Sequence, residues 1–379
     1  MLDYETLRIL WWALLVFLVC GFAVMDGFDL GIGILLPFLG KTDDERRVML
    51  NTVGPTWEGN QTWLVTLGGI TFGAWSLVYA TVFSGLYTGL LVLLLSLILR
   101  PVGFDYRSKL TDPRWRSVWD WALFVGGLVP AVVLSLAVGN VMQGLPFQLD
   151  AEMRSVYSGG FWGLFNPFAL FCVIVGTALL TMHGAAFLQY RTEDQLAERA
   201  KCCIVWAGSL FLVSFLLAGV WVAYGLDGYR IDSVLNPAAS NTPLAKTVSK
   251  TAGQWLYNYQ HYPLLIFAPV ITVGSVLLGI YCSLKNKAIW AFFATCLTVT
   301  ATLLTAGGSM FPFIIPSSID PASSLTVWDA SASRYTLQLL FFATIVFMPI
   351  VMAYTAWVYR VMRGKVTVAD IQNNQHILY

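Results

Sequence analysis

Charge is scarce in this chain: Asp, Glu, Lys and Arg make up 11% of its 379 residues, where soluble domains carry roughly 25%. That scarcity excludes an ordinary water-soluble domain. A basic excess is also missing, since the formal net charge is +1, and without a basic footprint nucleic acid is excluded as a partner. Histidine is almost absent, with only His183, His261 and His376. The six cysteines (Cys20, Cys172, Cys202, Cys203, Cys282 and Cys296) form no C-x-x-C pair and mostly sit in apolar runs. They read as small packing residues rather than disulfides or metal ligands. There is no short-period repeat and no low-complexity segment. Nor is a cleavable leader expected: the first apolar run is flanked by Asp3 and Glu5, lacks a small-residue cleavage site and is too long.

What the chain has instead is apolar length. With 57% hydrophobic residues and a mean hydropathy of +0.69, it reads as an all-α polytopic membrane protein. A span needs about 20 apolar residues, and nine are expected, over 9–38, 52–75, 79–99, 119–142, 161–189, 203–226, 262–283, 289–312 and 336–360. The second is interrupted by Glu58, Asn60 and Gln61. Sixteen of the 22 basic residues fall in the loops after the odd-numbered spans; Arg8, Arg154, Arg230, Lys246, Lys250 and Arg334 fall on the other side. The positive-inside rule then puts the N-terminus outside and the tail, about 361–379, in the cytoplasm. The whole chain, 1–379, reads as one integral membrane domain. Its longest connection, about 227–261, lies on the outer side as a lid, with Asn236-Pro237 and Ser240-Asn241-Thr242-Pro243 as turn material. Two blocks of four spans plus one is an arithmetic option.

The polar residues inside the spans carry the functional argument. Asp26 and Asp29 lie three residues apart, on one helix face, in a stretch where Gly27, Gly31 and Gly33 let a neighbouring helix come close. At 1.5 Å per residue Asp26 is about 25 Å from the outer end, and Glu58 about 10 Å into the returning span. Arg100 ends the third span on the same side. Acids are costly in hydrocarbon and normally mark function, so Asp26, Asp29 and Glu58 are expected to relay protons from the cytoplasm, with Arg100 beside them. The bland reading is helix-to-helix hydrogen bonding, with Arg100 a snorkelling anchor.

His183, the only histidine inside an expected span, could ligate a haem iron, but a hydrogen-bonded packing role is favoured. Asp105, Asp112 and Asp120 read as a solvated loop face. Trp75, Trp121, Trp221 and Trp328 read as interfacial. Asn166-Pro167 and Phe311-Pro312-Phe313 with Pro316 mark helix kinks or ends.

Several ordered motifs resemble one family. Met25-Asp26-Gly27-Phe28-Asp29-Leu30-Gly31, Trp57-Glu58-Gly59-Asn60-Gln61-Thr62-Trp63 and Arg100-Pro101-Val102-Gly103-Phe104-Asp105-Tyr106-Arg107 are similar to subunit II of cytochrome bd-type ubiquinol oxidases. So are Leu226-Asp227-Gly228-Tyr229, Met310-Phe311-Pro312-Phe313-Ile314-Ile315-Pro316-Ser317-Ser318 and Ser324-Leu325-Thr326-Val327-Trp328-Asp329. The resemblance runs from Asp3-Tyr4-Glu5 to the tail.

It implies two four-helix bundles plus one peripheral helix, in a bacterial inner-membrane complex that oxidises quinol and reduces dioxygen to water with cytoplasmic protons. It implies a related subunit I that ligates most or all of haem b and haem d and carries the quinol-oxidising loop. It also allows small accessory subunits and a structural quinone held by this chain. Matched by motif, the family's proton-path acids fall on Asp26 and Glu58, with Arg100 beside them; family members often have Asp where this chain has Glu58. The rival from another class is a stand-alone proton-coupled transporter, which would need a midplane substrate site on broken helices. A third reading is a purely structural partner whose acids only pack.

Overall fold

A computed structural model describes residues 2–373; His376 and the end of the tail lie outside the described residues. The chain begins α1 (Tyr4–Met25), α2 (Gly27–Leu39), α3 (Asp43–Val53), α4 (Trp57–Ala74), α5 (Ser76–Gly85), α6 (Tyr87–Tyr106) and α7 (Pro113–Gln143). There follow a hairpin of β1 (Phe147–Leu149) and β2 (Ser155–Tyr157), then α8 (Pro167–Arg191) and α9 (Asp194–Tyr224). A second hairpin pairs β3 (Asp227–Ile231) with β4 (Val248–Ala252). After α10 (Tyr257–His261), α11 (Phe267–Leu284) and α12 (Ala288–Met310), a third pairs β5 (Phe313–Ile315) with β6 (Leu325–Thr326). Last come α13 (Arg334–Val361) and α14 (Val368–Asn373).

Local chemistry sets these boundaries. Asp3 accepts from the Thr6 amide to start α1, and Thr42 with Glu45 makes a reciprocal capping box on α3. Asn166 caps α8 with Pro167 in its first turn, so the Asn-Pro pair is a helix start rather than a kink within a span.

Among the described residues eight helical stretches are long and apolar enough to cross a membrane. The second expected span, 52–75, is the exception. Residues up to Val53 finish α3, whose Val48, Met49, Leu50 and Val53 are buried. The helix that follows, α4, is 18 residues long and diluted by Glu58, Asn60 and Gln61. The third span is likewise longer than expected, as α5 and α6 joined at Leu86.

Helices α1–α2, α4, α6 and α7 form one bundle and α8, α9, α11 and α12 a second, while among the described residues α13 packs chiefly on α1 and α4. None of the most apolar stretch of α13 is buried, so it is the peripheral helix. Glycine contacts seat α2 against α8 of the second bundle and against α7 of its own. A Cβ on Gly184 of α8 would lie 2.6 Å from the Gly31 carbonyl carbon, and one on Gly127 of α7 would lie 2.6 Å from the Leu30 oxygen. Any side chain there would force the backbones apart.

The loops sort into two sets. At the basic end, Arg107 reaches Asp43 (2.9 Å), Lys201 reaches Asn286 (3.1 Å) and Gln372 reaches Asp44 (3.2 Å); Arg199 pairs with Glu45. At the opposite end Arg8 donates to the Pro237 carbonyl, to Asn241 and to Ser331, and Lys246 meets Asp329. The 227–261 connection is seated there by Trp255 and Tyr229, which donate to the carbonyls of Met142 (3.0 Å) and Gln143 (2.9 Å).

Two expectations fail here. Asp120 is not on a solvated face: it is buried, accepting from Arg107 (2.5 Å) and Arg46 (2.7 Å), because α3 folds back over the start of α7. Trp75 is not interfacial either: the break between α4 and α5 turns its ring into the core with Leu7 and Trp11.

A candidate proton site at the break in the first span

The first span is interrupted at Asp26, which ends α1 and begins α2 with its backbone still bonded on both sides. Its side chain therefore leaves the helix where α2 is pressed against α7 and α8. Arg100, near the end of α6, meets it with two parallel bonds, Nη1 to Oδ2 at 2.9 Å and Nη2 to Oδ1 at 2.6 Å. This bidentate fork is the strong geometry for a guanidinium and a carboxylate. One turn on, Asp29 Oδ2 lies 3.6 Å from the same guanidinium. Asp26, Asp29 and Arg100 are 0, 4 and 3% exposed. Arg100 is thus a buried partner, not a snorkelling anchor. The Trp57 ring, itself stacked on Phe104, lies 5.9 Å from its guanidinium carbon.

One cation serving two carboxylates leaves the cluster one negative charge in excess when both are ionised. Asp29 shows that imbalance. Its Oδ2 accepts from Asn60 Nδ2 at 2.8 Å, whereas its Oδ1 has no hydrogen-bond partner among the described residues. Asp29 and Arg100 also line a cavity of about 10 Å³, closed by Leu50, Val53, Phe104 and Leu123. That is roughly the space of a single water.

Glu58 is not part of this cluster. It is exposed, in the first turn of α4, two residues from the inward-facing Asn60; residues so spaced point to opposite sides of a helix. His183 lies nearby on α8, fully buried. Its Nδ1 is 2.8 Å from Thr295 Oγ1, its Nε2 2.9 Å from the Val24 carbonyl, and its ring stacks on Phe292.

Two residues of the cluster escape sequence reasoning. Asn60 registers there only as an interruption of an apolar run, and Tyr359 does not register at all. The structure joins them: Tyr359 Oη donates to Asn60 Oδ1 at 2.8 Å. No spacing between residues 299 apart could have signalled this.

The model of the family described as cytochrome bd terminal oxidase subunit II matches residues 7–362. The chain belongs to that family. It is 47% identical over all 379 residues to the cytochrome bd-I ubiquinol oxidase subunit 2 of Escherichia coli K12, covering 100% of both chains. It is 31% identical over 362 residues to the cytochrome bd ubiquinol oxidase subunit 2 of Bacillus subtilis, covering 96% of this chain and 97% of that one. Among solved structures, the bd oxidase of Geobacillus thermodenitrificans superposes with a TM-score of 0.70 at 16% identity, covering 94% of this chain and 98% of its match. That likeness speaks for the fold. Family membership decides between the two classes of function, for the oxidase subunit and against the stand-alone transporter.

Proposed function

We propose that Asp26, Asp29 and Arg100 form the proton-holding node that this chain contributes to oxygen reduction. Through its family the chain is a subunit of a quinol:oxygen oxidoreductase, a multi-pass inner-membrane complex containing haem. Its reaction consumes protons, and this chain contributes buried carboxylates that can carry them. The observation that carries the reading is the shared guanidinium: Asp26 takes its bidentate Nη fork, leaving Asp29 at 3.6 Å with a buried Oδ1 that has no hydrogen-bond partner among the described residues, beside a water-sized cavity. A proton bound at Asp29 Oδ1 neutralises the cluster, and its departure restores a single negative charge that Arg100 and Asn60 hold in place.

The distribution of basic residues supports an N-terminus in the periplasm and a C-terminus in the cytoplasm. The cluster then lies in the cytoplasmic half and draws its protons from that side. Glu58 takes a different role from Asp29. Along α4 the residues Glu58, Thr62, Val65, Gly69 and Phe72 are exposed, and a Cβ on Gly59, Gly68 or Gly69 would meet nothing within 4 Å. Small residues and an uncompensated acid on a membrane helix are features of a helix–helix interface. We assign this face to subunit I, with Glu58 the carboxylate that meets the partner.

Haem ligation we assign to subunit I. His183 does not fit an axial ligand, because both ring nitrogens are already engaged and the ring is sealed by Phe292. When bound in the complex, the haems supply the electron transfer and oxygen reduction. This chain's residues hold and deliver protons beside them.

The test is Asp29→Asn and Asp26→Asn in the assembled complex. Quinol-driven oxygen uptake should fall at least tenfold, with haem absorption and quinol KM retained. Wild-type turnover across a wide pH range in both variants would remove the acids from the proton path.

A further inference from the structure

We propose that Asn60 and Tyr359 are positioning residues for Asp29, and that through them the peripheral helix α13 governs how the proton site exchanges its proton. This rests on the reading of the acid pair given above. The chain of contacts is short: Tyr359 Oη to Asn60 Oδ1 at 2.8 Å, then Asn60 Nδ2 to Asp29 Oδ2 at 2.8 Å. Asn60 is 1% exposed, so its amide has no solvent to fall back on, and a buried polar group left unpaired is costly.

The chemistry of the three groups suits a site that changes charge. A carboxylate accepts only, an amide offers a donor edge and an acceptor edge, and a phenol can do either. With Asp29 ionised, the amide turns its donors toward the carboxylate, and the tyrosine donates to the amide oxygen. Were the carboxylic proton on Oδ2, a flipped amide would accept it and the tyrosine would accept from the amide. The Oδ2 edge of Asp29 thus finds a partner in either charge state, provided the tyrosine hydroxyl is present. An amide does not itself pass a proton along a hydrogen-bond chain, so Asn60 holds Asp29 without opening a second route to it.

Other groups facing Asp29 cannot substitute. Arg100 is forked on Asp26 and reaches Asp29 only at 3.6 Å, and α3 and α7 present apolar Leu50, Val53 and Leu123.

Tyr359 is also the point where α13 touches the site. The other end of α13 is tied by Trp11 Nε1 to the Leu337 carbonyl at 2.9 Å and by Tyr4 Oη to the Ala332 carbonyl just ahead of it at 2.8 Å. Those bonds fix the helix in place, while the Tyr359 bond reaches, through Asn60, a group that titrates.

The experiment compares Tyr359→Phe and Asn60→Leu with Asp29→Asn in the purified complex, measuring quinol-driven oxygen uptake against pH beside the reduced-minus-oxidised haem spectrum. Tyr359→Phe, which removes one oxygen atom, should lower turnover about fivefold, the scale of one hydrogen bond. It should also move the alkaline limb of the profile to higher pH, because a donor that favours the carboxylate is weakened. Asn60→Leu should do both more strongly, and the haem spectrum should stay unchanged. Wild-type rate and profile in Tyr359→Phe and Asn60→Leu, with Asp29→Asn impaired, would overturn the positioning role and leave the acid site standing. Loss of haem absorption in Tyr359→Phe would make the contact structural and overturn it too. If Asp29→Asn were also unimpaired, the acid reading would fall and this inference with it.

Discussion

At one end of the molecule a lysine meets a single carboxylate; near the other an arginine meets two. Lys246 Nζ lies 2.7 Å from Asp329 Oδ2 and donates to the Pro243 carbonyl, while Asp329 Oδ1 accepts the Thr326 amide. Both side chains are buried, the charges are equal and the remaining bonds go to backbone. Burial pushes the Lys246 ammonium below the ordinary lysine range, and the Asp329 carboxylate opposes that. This pair clips the 227–261 connection to the segment after β6. The Asp26–Asp29–Arg100 cluster is as deeply buried and better forked, yet one carboxylate has no cation of its own. The first arrangement is electrically balanced as it stands; the second is balanced only when a proton is bound. Burial alone does not distinguish the two clusters, but the charge balance does.

Three substitutions would break or sharpen that contrast. The largest effect is expected for Arg100→Met, which leaves two carboxylates buried without a cation. Breaking a buried pair from one side costs roughly 3–5 kcal/mol, so little haem-bearing complex should accumulate in membranes, and adding Asp26→Leu should restore part of it. Normal assembly of Arg100→Met would show that the two acids do not depend on it.

Lys246→Met should come next, destabilising the subunit by about 3 kcal/mol in thermal unfolding in detergent, while the double variant with Asp329→Leu returns close to wild type, as balanced pairs replaced by apolar residues do. Turnover of the double variant should be untouched. A lasting loss of turnover there would mean the outer pair also works in the reaction.

The smallest effect is expected for Asp43→Asn. Asp43 is the half-exposed member of the Arg107–Arg116 network, with a side chain 39% exposed, and such pairs are worth about 0–1 kcal/mol. A shift in unfolding temperature of more than a few degrees would show that α3 relies on it.

How much of this was legible beforehand depends on direction. Depth along a helix can be read from a rise of 1.5 Å per residue and from loop charge, and it brings Asp26, Asp29 and Arg100 to one level. Azimuth cannot. Glu58 and Asn60 share that level and face opposite ways, so the acid expected in the cluster points outward and the amide read as an interruption points in. Asp120 fails for a related reason: loop charge says which end it occupies but not that α3 covers it. Tyr359 needed the fold itself, because α13 follows both bundles in the chain and returns to the start of α4.

The modest apolarity of α4 bears on how the chain is made. Its 18 residues rise about 27 Å against a hydrocarbon core near 30 Å, and an acid placed in mid-membrane is disfavoured by about 2.5–3.5 kcal/mol. Glu58 near its end lowers that burden without removing it. The first span, Tyr4–Leu39, has a mean hydropathy of 2.3 and can partition on its own. Helix α4 emerges next and has little tendency to do so. It is expected to enter lipid alongside α1–α2, with α6 bringing Arg100 to the Asp26–Asp29 pair. Insertion of the early chain is then a joint event of α1–α2, α4 and α6.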